Sequence, residues 1–258
     1  MLGYTYGWRA RLGLILPSLN VTTEPEYYRM VPEGVTIHTT RIFLEEETEE
    51  NYTHMVDDVT RCVTLLSHSH VSALAFACTS GSLYGGLGYD RKIIEVMKGC
   101  TDRPCTTTTT AVVEALETMG LKRICVGTPY SAWINPLEKK FFEDSGFEVV
   151  NIRSTREDVK EIYGDIGDEK RAEISFMVSH IRPEQVYEFT TNKVYRDDCD
   201  GVFLSCMGLP TLGVIDILEK DLGKPVITSN QVTLWKLLKM AGVETKESMQ
   251  GFGSLFRY

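Results

Sequence analysis

Two cysteines stand where a nucleophile or a proton carrier would be placed. Cys78 closes the apolar run of VSALAFACTSGSL (Val71 to Leu83), and Cys206 holds the matching place in DGVFLSCMGLPTL (Asp200 to Leu212). In each segment a strand-like stretch runs into cysteine, and a glycine follows within three residues. The thiolate is the reactive form of cysteine, and N–H groups gathered at a turn or helix start can lower a thiol pKa from about 8.5 toward neutrality. The same N–H groups would hold a carboxylate. Two thiols facing one hollow could then attack and protonate a single small molecule from opposite sides. Free cysteine is also among the most buried residue types, and that structural role is assigned to Cys62, Cys100, Cys105, Cys125 and Cys199.

Other residues at strand ends join this pair. Pro17-Ser18-Leu19-Asn20 and Thr128-Pro129-Tyr130 both follow apolar runs. Asn20 offers a neutral donor and acceptor to a ligand, or closes an Asx-turn. Tyr130 could donate to a carboxylate or cap a core. The histidines (His38, His54, His68, His70, His180) lie on strands or helix faces away from these loops, which argues against a Cys-His dyad. The acidic run Glu45-Glu46-Glu47 with Glu49-Glu50 reads as a solvated loop and helix start. Gly85 to Gly88 (GGLG) lacks dinucleotide-binding spacing. CxxC is absent and Cys100 with Cys105 has no second ligand pair, so no metal is expected.

These residues need a scaffold that brings strand ends together. Strand-like runs are read at Arg11 to Leu16, Val35 to Ile42, Ala73 to Ala77, Pro104 to Thr107, Arg123 to Gly127, Glu148 to Ile152, Gly201 to Ser205 and Pro225 to Thr228. Helical patterns fall between them. The clearest stripe is Tyr52, Met55, Val56, Val59, Val63 and Leu66, and others are read at Asp90 to Lys98, Ala111 to Met119, Pro136 to Asp144, Pro183 to Thr191, Leu212 to Leu222 and Gln231 to Ala241. Such alternation predicts an α/β fold with parallel, doubly wound sheets, whose ligands sit beyond the carboxyl ends of the strands.

An internal repeat divides the chain. RLGLILPSLN (Arg11 to Asn20) parallels KRICVGTPYS (Lys122 to Ser131), ACTSGS parallels SCMGLP, and RPCTTTTTA (Arg103 to Ala111) parallels KPVITSNQV (Lys224 to Val232). The offsets, near 120 residues, predict two similar lobes related by a pseudo-twofold axis, with the site in the cleft between them. The expected division is residues 1–120, then 121–230, with 231–258 packing back on the first lobe. Thr106 to Thr110 reads as a strand end entering a helix N-cap.

Bulk properties narrow the classes. The 258 residues are 43% apolar with a net charge of −9, enough for well-filled cores and no electrostatic footprint for nucleic acid. No apolar run reaches the roughly 18 residues of a membrane span, and MLGYTYGWRARLG lacks a signal-peptide core, so a cytoplasmic protein is expected. Seven cysteines without a secretory signal predict reduced thiols.

Together GLILPSLN, CTSGS, TPY, SCMGLP and the closing GFGSLF resemble the maleate cis-trans isomerase and arylmalonate decarboxylase branch of the aspartate/glutamate racemase superfamily, from about Arg9 to Phe256. The resemblance implies a cofactor-independent enzyme of two similar lobes acting on a small carboxylate, and a homodimer or homotetramer. It implies Cys78 as nucleophile on the double bond of maleate and Cys206 as acid and base. Asn20 and Tyr130, with Pro17 and the N–H groups of Thr79, Ser80, Met207 and Gly208, would then bind substrate carboxylate. The decarboxylase branch has glycine at the first cysteine position, so Cys78 points to the isomerases. The isomerases also carry a substrate-binding asparagine in the middle segment, which has no match in Ile162 to His180. Racemisation with two thiol acid/bases, decarboxylation with Cys206 alone, an ectoine-utilisation-type role and non-catalytic carboxylate binding are the rival readings.

Overall fold

The computed structural model describes residues 4–157, 162, 177–245 and 249–258. Eight strands form two four-stranded parallel sheets, an α/β fold. The first contains β1 (Ala10–Pro17), β2 (Val35–Ile42), β3 (Ala73–Phe76) and β4 (Cys105–Thr107) in the order β2-β1-β3-β4. The second contains β5 (Arg123–Thr128), β6 (Glu148–Ser154), β7 (Gly201–Leu204) and β8 (Val226–Thr228) in the order β6-β5-β7-β8. The same strand order therefore recurs along the chain. In each sheet the first strand and its inner neighbour end in the loops that carry the candidate residues, because β1 pairs with β3 through Ile15 and Phe76, and β5 pairs with β7 through Gly127 and Leu204.

Strand composition follows from burial on both faces. β3 (ALAF) and β7 (GVFL) are buried at every position, as continuous apolar runs in a covered parallel sheet should be. The covering helices are α1 (Thr23–Met30), α2 (Glu49–Ser67), α3 (Thr79–Leu83), α4 (Tyr89–Lys98), α5 (Thr108–Met119), α6 (Ile134–Asp144), α7 (Pro183–Phe189), α8 (Ile215–Leu222) and α9 (Ser229–Met240). On α2 five residues of the predicted stripe are buried, Tyr52, Met55, Val59, Val63 and Leu66, with Cys62 beside them, while Val56 is half-buried. The short strands β4 and β8 pass directly into α5 and α9. Their last residues, Thr107 and Thr228, are the N-caps, with hydroxyls accepting from Thr110 N–H and Gln231 N–H. α9 packs against α5 and β3, and the apolar cluster containing Leu116, Leu234, Trp235 and Leu238 continues to Phe142 of α6 and Phe203 of β7.

Three features depart from the sequence reading. α1 carries no apolar stripe, because the face it buries includes Thr23 and Glu26 with Tyr27 and Met30, and those polar groups reach into the other lobe. CTSGS is not only a turn: Cys78 is the N-cap of the short helix α3. Cys100 is partly exposed, with its thiol donating to Val96 carbonyl at 3.4 Å at the end of α4. Cys62, Cys105, Cys125 and Cys199 are buried and all seven thiols are free. Among the described residues no helix is long and apolar enough to cross a membrane, and no cluster of His, Cys, Asp and Glu is placed to hold a metal ion. Most of the middle segment in which the asparagine match was sought lies outside the described residues.

Candidate active site

Each thiol is fixed by the end of a central strand. After β3, the Cys78 sulfur accepts the Gly81 N–H at 3.3 Å and lies 3.9 Å from Ser80 Oγ. Gly81 has no side chain for a steric reason, since a Cβ there would lie 2.9 Å from Cys78 Sγ. After β7, Cys206 has φ of +92°, a backbone conformation that disfavours any side chain. Its sulfur accepts the Gly208 N–H at 3.3 Å. A non-glycine residue held there stores about 1–3 kcal/mol, and such strain concentrates at functional sites.

A single hydroxyl ties the two turns together. Ser229, the first residue of α9, is fully buried and accepts Cys206 N–H at 3.0 Å and the Thr79 hydroxyl at 2.9 Å. The lobes are stitched further through α1. Thr22 Oγ1 donates to Gly208 carbonyl at 2.8 Å and Thr23 Oγ1 to Met207 carbonyl at 3.1 Å. The buried Glu26 carboxylate accepts Thr211 N–H, Leu212 N–H and Asn230 Nδ2 at 2.7, 2.8 and 2.7 Å. The Cys206 loop is therefore pinned on both sides by buried polar bonds, each requiring its partner.

One pocket, with about 460 Å³ of space counted to its mouth, is lined by Pro17, Asn20, Cys78, Thr79, Ser80, Tyr130, Cys206, Met207 and Gly208, all of the residues named from sequence. Leu19, Leu44, Val178 and Glu47 complete the wall. Asn20 serves as an Asx cap: its Oδ1 accepts Thr22 N–H and Thr23 N–H at 3.0 Å each, and its Nδ2 donates to Thr23 Oγ1 at 3.0 Å. One amide hydrogen is left for a ligand. Tyr130 is buried, and its phenol accepts the Ser205 hydroxyl at 3.3 Å. Burial raises its pKa well above the ordinary range, so the phenol stays a donor.

Electrostatics here run against the sequence expectation. Burial pushes the Cys78 thiol up to about 11, outweighing the Gly81 N–H and the Ser80 hydroxyl. Burial likewise pushes the Cys206 thiol up to about 12, despite the Gly208 N–H. Aligned N–H groups do favour the thiolates, but removing the sulfurs from water costs more. Glu47 adds to the opposition at both sulfurs, and each lies within the field of the other residues of the pocket. At neutral pH this balance favours the thiol form of both.

Glu47 also overturns the reading of the acidic run. Glu45, Glu46, Glu49 and Glu50 are exposed, whereas the Glu47 side chain is 12% exposed and meets Arg156 at 2.8 Å. Leu44, Glu47 and Arg156 carry no local sequence pattern that marks them for the site. Ser229 could have been noticed as the counterpart of Thr108 in the repeated strand-to-helix motif.

With the geometry in place, similarity to known proteins becomes informative. The model of the arylmalonate decarboxylase family matches residues 12–256. The chain belongs to that family. It is 29% identical over 247 residues to a maleate isomerase of Pseudomonas putida, covering 91% of this chain and 92% of that one. It is 26% identical over 245 residues to the arylmalonate decarboxylase of Bordetella bronchiseptica, covering 95% of each. The crystal structure of the maleate isomerase Iso from Pseudomonas putida S16 superposes with a TM-score of 0.81 at 26% identity, covering 96% of this chain and 98% of that one. The protein is thus an enzyme, similar to maleate isomerases along nearly its whole length.

Proposed function

We propose that the enzyme isomerises the double bond of a small cis-butenedioic acid, with maleate to fumarate as the parent reaction and no cofactor. The observation carrying this reading is that Cys78 and Cys206, at equivalent strand ends, line one small pocket. A decarboxylase needs one proton donor, and here a second sulfur stands in the pocket with an N–H of its own.

The reaction begins once the Cys78 thiol has given up its proton to solvent at the pocket mouth, leaving Cys78 as thiolate and Cys206 as thiol. The Cys78 sulfur adds to one olefinic carbon, and the π pair moves to the neighbouring carbon and its carboxylate. N–H groups of the Cys78 and Cys206 turns stabilise that enolate-like charge. Cys206 S–H gives its proton to the carbanionic carbon, leaving a saturated thioether and a Cys206 thiolate. Rotation about the new single bond exchanges cis for trans. Cys206 then removes a proton from the same carbon, the double bond re-forms, and Cys78 leaves as thiolate. The neutral phenol of Tyr130 and the remaining Asn20 amide hydrogen are donors for a substrate carboxylate.

Incubation of the pure enzyme with maleate, followed by proton NMR, should show fumarate forming without added cofactor. No turnover of maleate or its mono-substituted derivatives between pH 6 and 9 would remove the reading.

A further inference from the structure

The pocket contains a carboxylate that a diacid would have to face. Glu47 lines the same hollow as Cys78 and Cys206. Its partner Arg156 approaches Oε2 at 2.8 Å, with side chains 12% and 16% exposed. A guanidinium so nearly buried requires a counter-charge, and Glu47 is the carboxylate placed to supply it. Burial raises the Glu47 carboxyl, and Arg156 together with the Ser131 N–H and hydroxyl opposes that shift. The wall of the pocket thus holds an acidic acceptor.

We propose that Glu47 selects the far end of the substrate: the group lodged against it is an uncharged or cationic N–H donor, as in a mono-amide of the cis diacid, rather than a second carboxylate. This rests on the isomerase reading above and refines its substrate class. Two considerations converge on it. A carboxylate brought against Glu47 meets a like charge in a pocket shielded from water, whereas an amide N–H can donate to it. Glu47 also works against thiolate formation at both sulfurs, and an N–H donor would blunt that charge as the substrate arrives. Maleate itself is then accepted more slowly.

Two measurements test this separately from the chemistry. In the first, cis-to-trans turnover of maleamate and maleate is followed by NMR for the wild type and Glu47→Gln. The wild type should favour maleamate by about tenfold or more in kcat/KM, and Glu47→Gln should narrow or reverse that preference. A wild-type preference for maleate, further weakened in the variant, overturns the proposal. In the second, calorimetry compares succinamate with succinate, saturated analogues that cannot isomerise. Tighter binding of succinamate that is lost in Glu47→Gln supports the proposal even if no acid is turned over, an outcome that would refute only the isomerase reading. Equal or reversed affinity in the wild type overturns it. If Arg156 left alone prevents folding, the double variant Glu47→Gln/Arg156→Met gives the same comparison.

Discussion

Replacing Ser229 with alanine removes one oxygen and disturbs both catalytic turns. That hydroxyl accepts from Cys206 N–H at 3.0 Å and from the Thr79 hydroxyl at 2.9 Å, and it is shut away from solvent. Each buried donor left without its acceptor costs about 1–3 kcal/mol. The Thr79 hydroxyl can rotate, while the Cys206 N–H is fixed by the +92° backbone and has no such freedom. A loss of about 2–4 kcal/mol in unfolding free energy is expected, measured by urea denaturation at neutral pH. The Cys206 loop should also relax toward a less strained conformation, displacing its sulfur, so kcat should fall more than KM rises. Because Thr79 and Ser229 share a bond, Thr79→Val added to Ser229→Ala should cost less than the two separate losses. A Ser229→Ala enzyme within about 0.5 kcal/mol of wild type, with unchanged kcat, would refute the bracing role.

Other expectations follow from the same geometry. Cys206→Gly and Cys206→Ala should both be inactive, but the glycine variant should be more stable by about 1 kcal/mol, since glycine tolerates positive φ; equal midpoints in thermal unfolding would argue against strain. Alkylation of Cys78 in the unliganded enzyme, followed by peptide mass spectrometry, should accelerate about tenfold per pH unit from 7 to 10, because its thiol is pushed up to about 11. A plateau near pH 8 would show a thiolate already formed. Glu138 of α6 is buried, and burial raises it from 4.5 to about 8, with the Ser205 hydroxyl opposing the shift. The folded state then binds more protons than the unfolded one between those values, so stability should fall by a few kcal/mol as pH rises from about 4.5 to 8. Glu138→Gln should flatten that slope in denaturation curves, and an unchanged slope would place the pH dependence elsewhere.

Much of this site is legible in the residues themselves. Strands as apolar as ALAF and GVFL announce buried parallel pairing, and a cysteine directly beyond each marks the ligand-facing edge. The strand-to-helix passage at Thr107 and Thr228 is likewise readable, because threonine at an N-cap has a local signature. What escapes is decided at long range. Glu47 looks solvated among its acidic neighbours, and its burial is compensated by Arg156, more than one hundred residues along the chain, and by Ser131. α1 hides because its inward face satisfies the polar backbone of another lobe instead of filling a core. The raised thiol pKa values are not legible in sequence, because N–H donors can be counted from a turn motif while desolvation depends on everything packed around it.

Trapping the addition product tests most directly whether one substrate is shared by two sulfurs. Cys206→Ser enzyme, incubated with maleate or maleamate and digested for mass spectrometry, should carry one intact acid as a thioether on Cys78, with no trans product released. An unmodified Cys78, or release of trans acid at the wild-type rate, would contradict a nucleophilic Cys78 working with Cys206 as its proton partner.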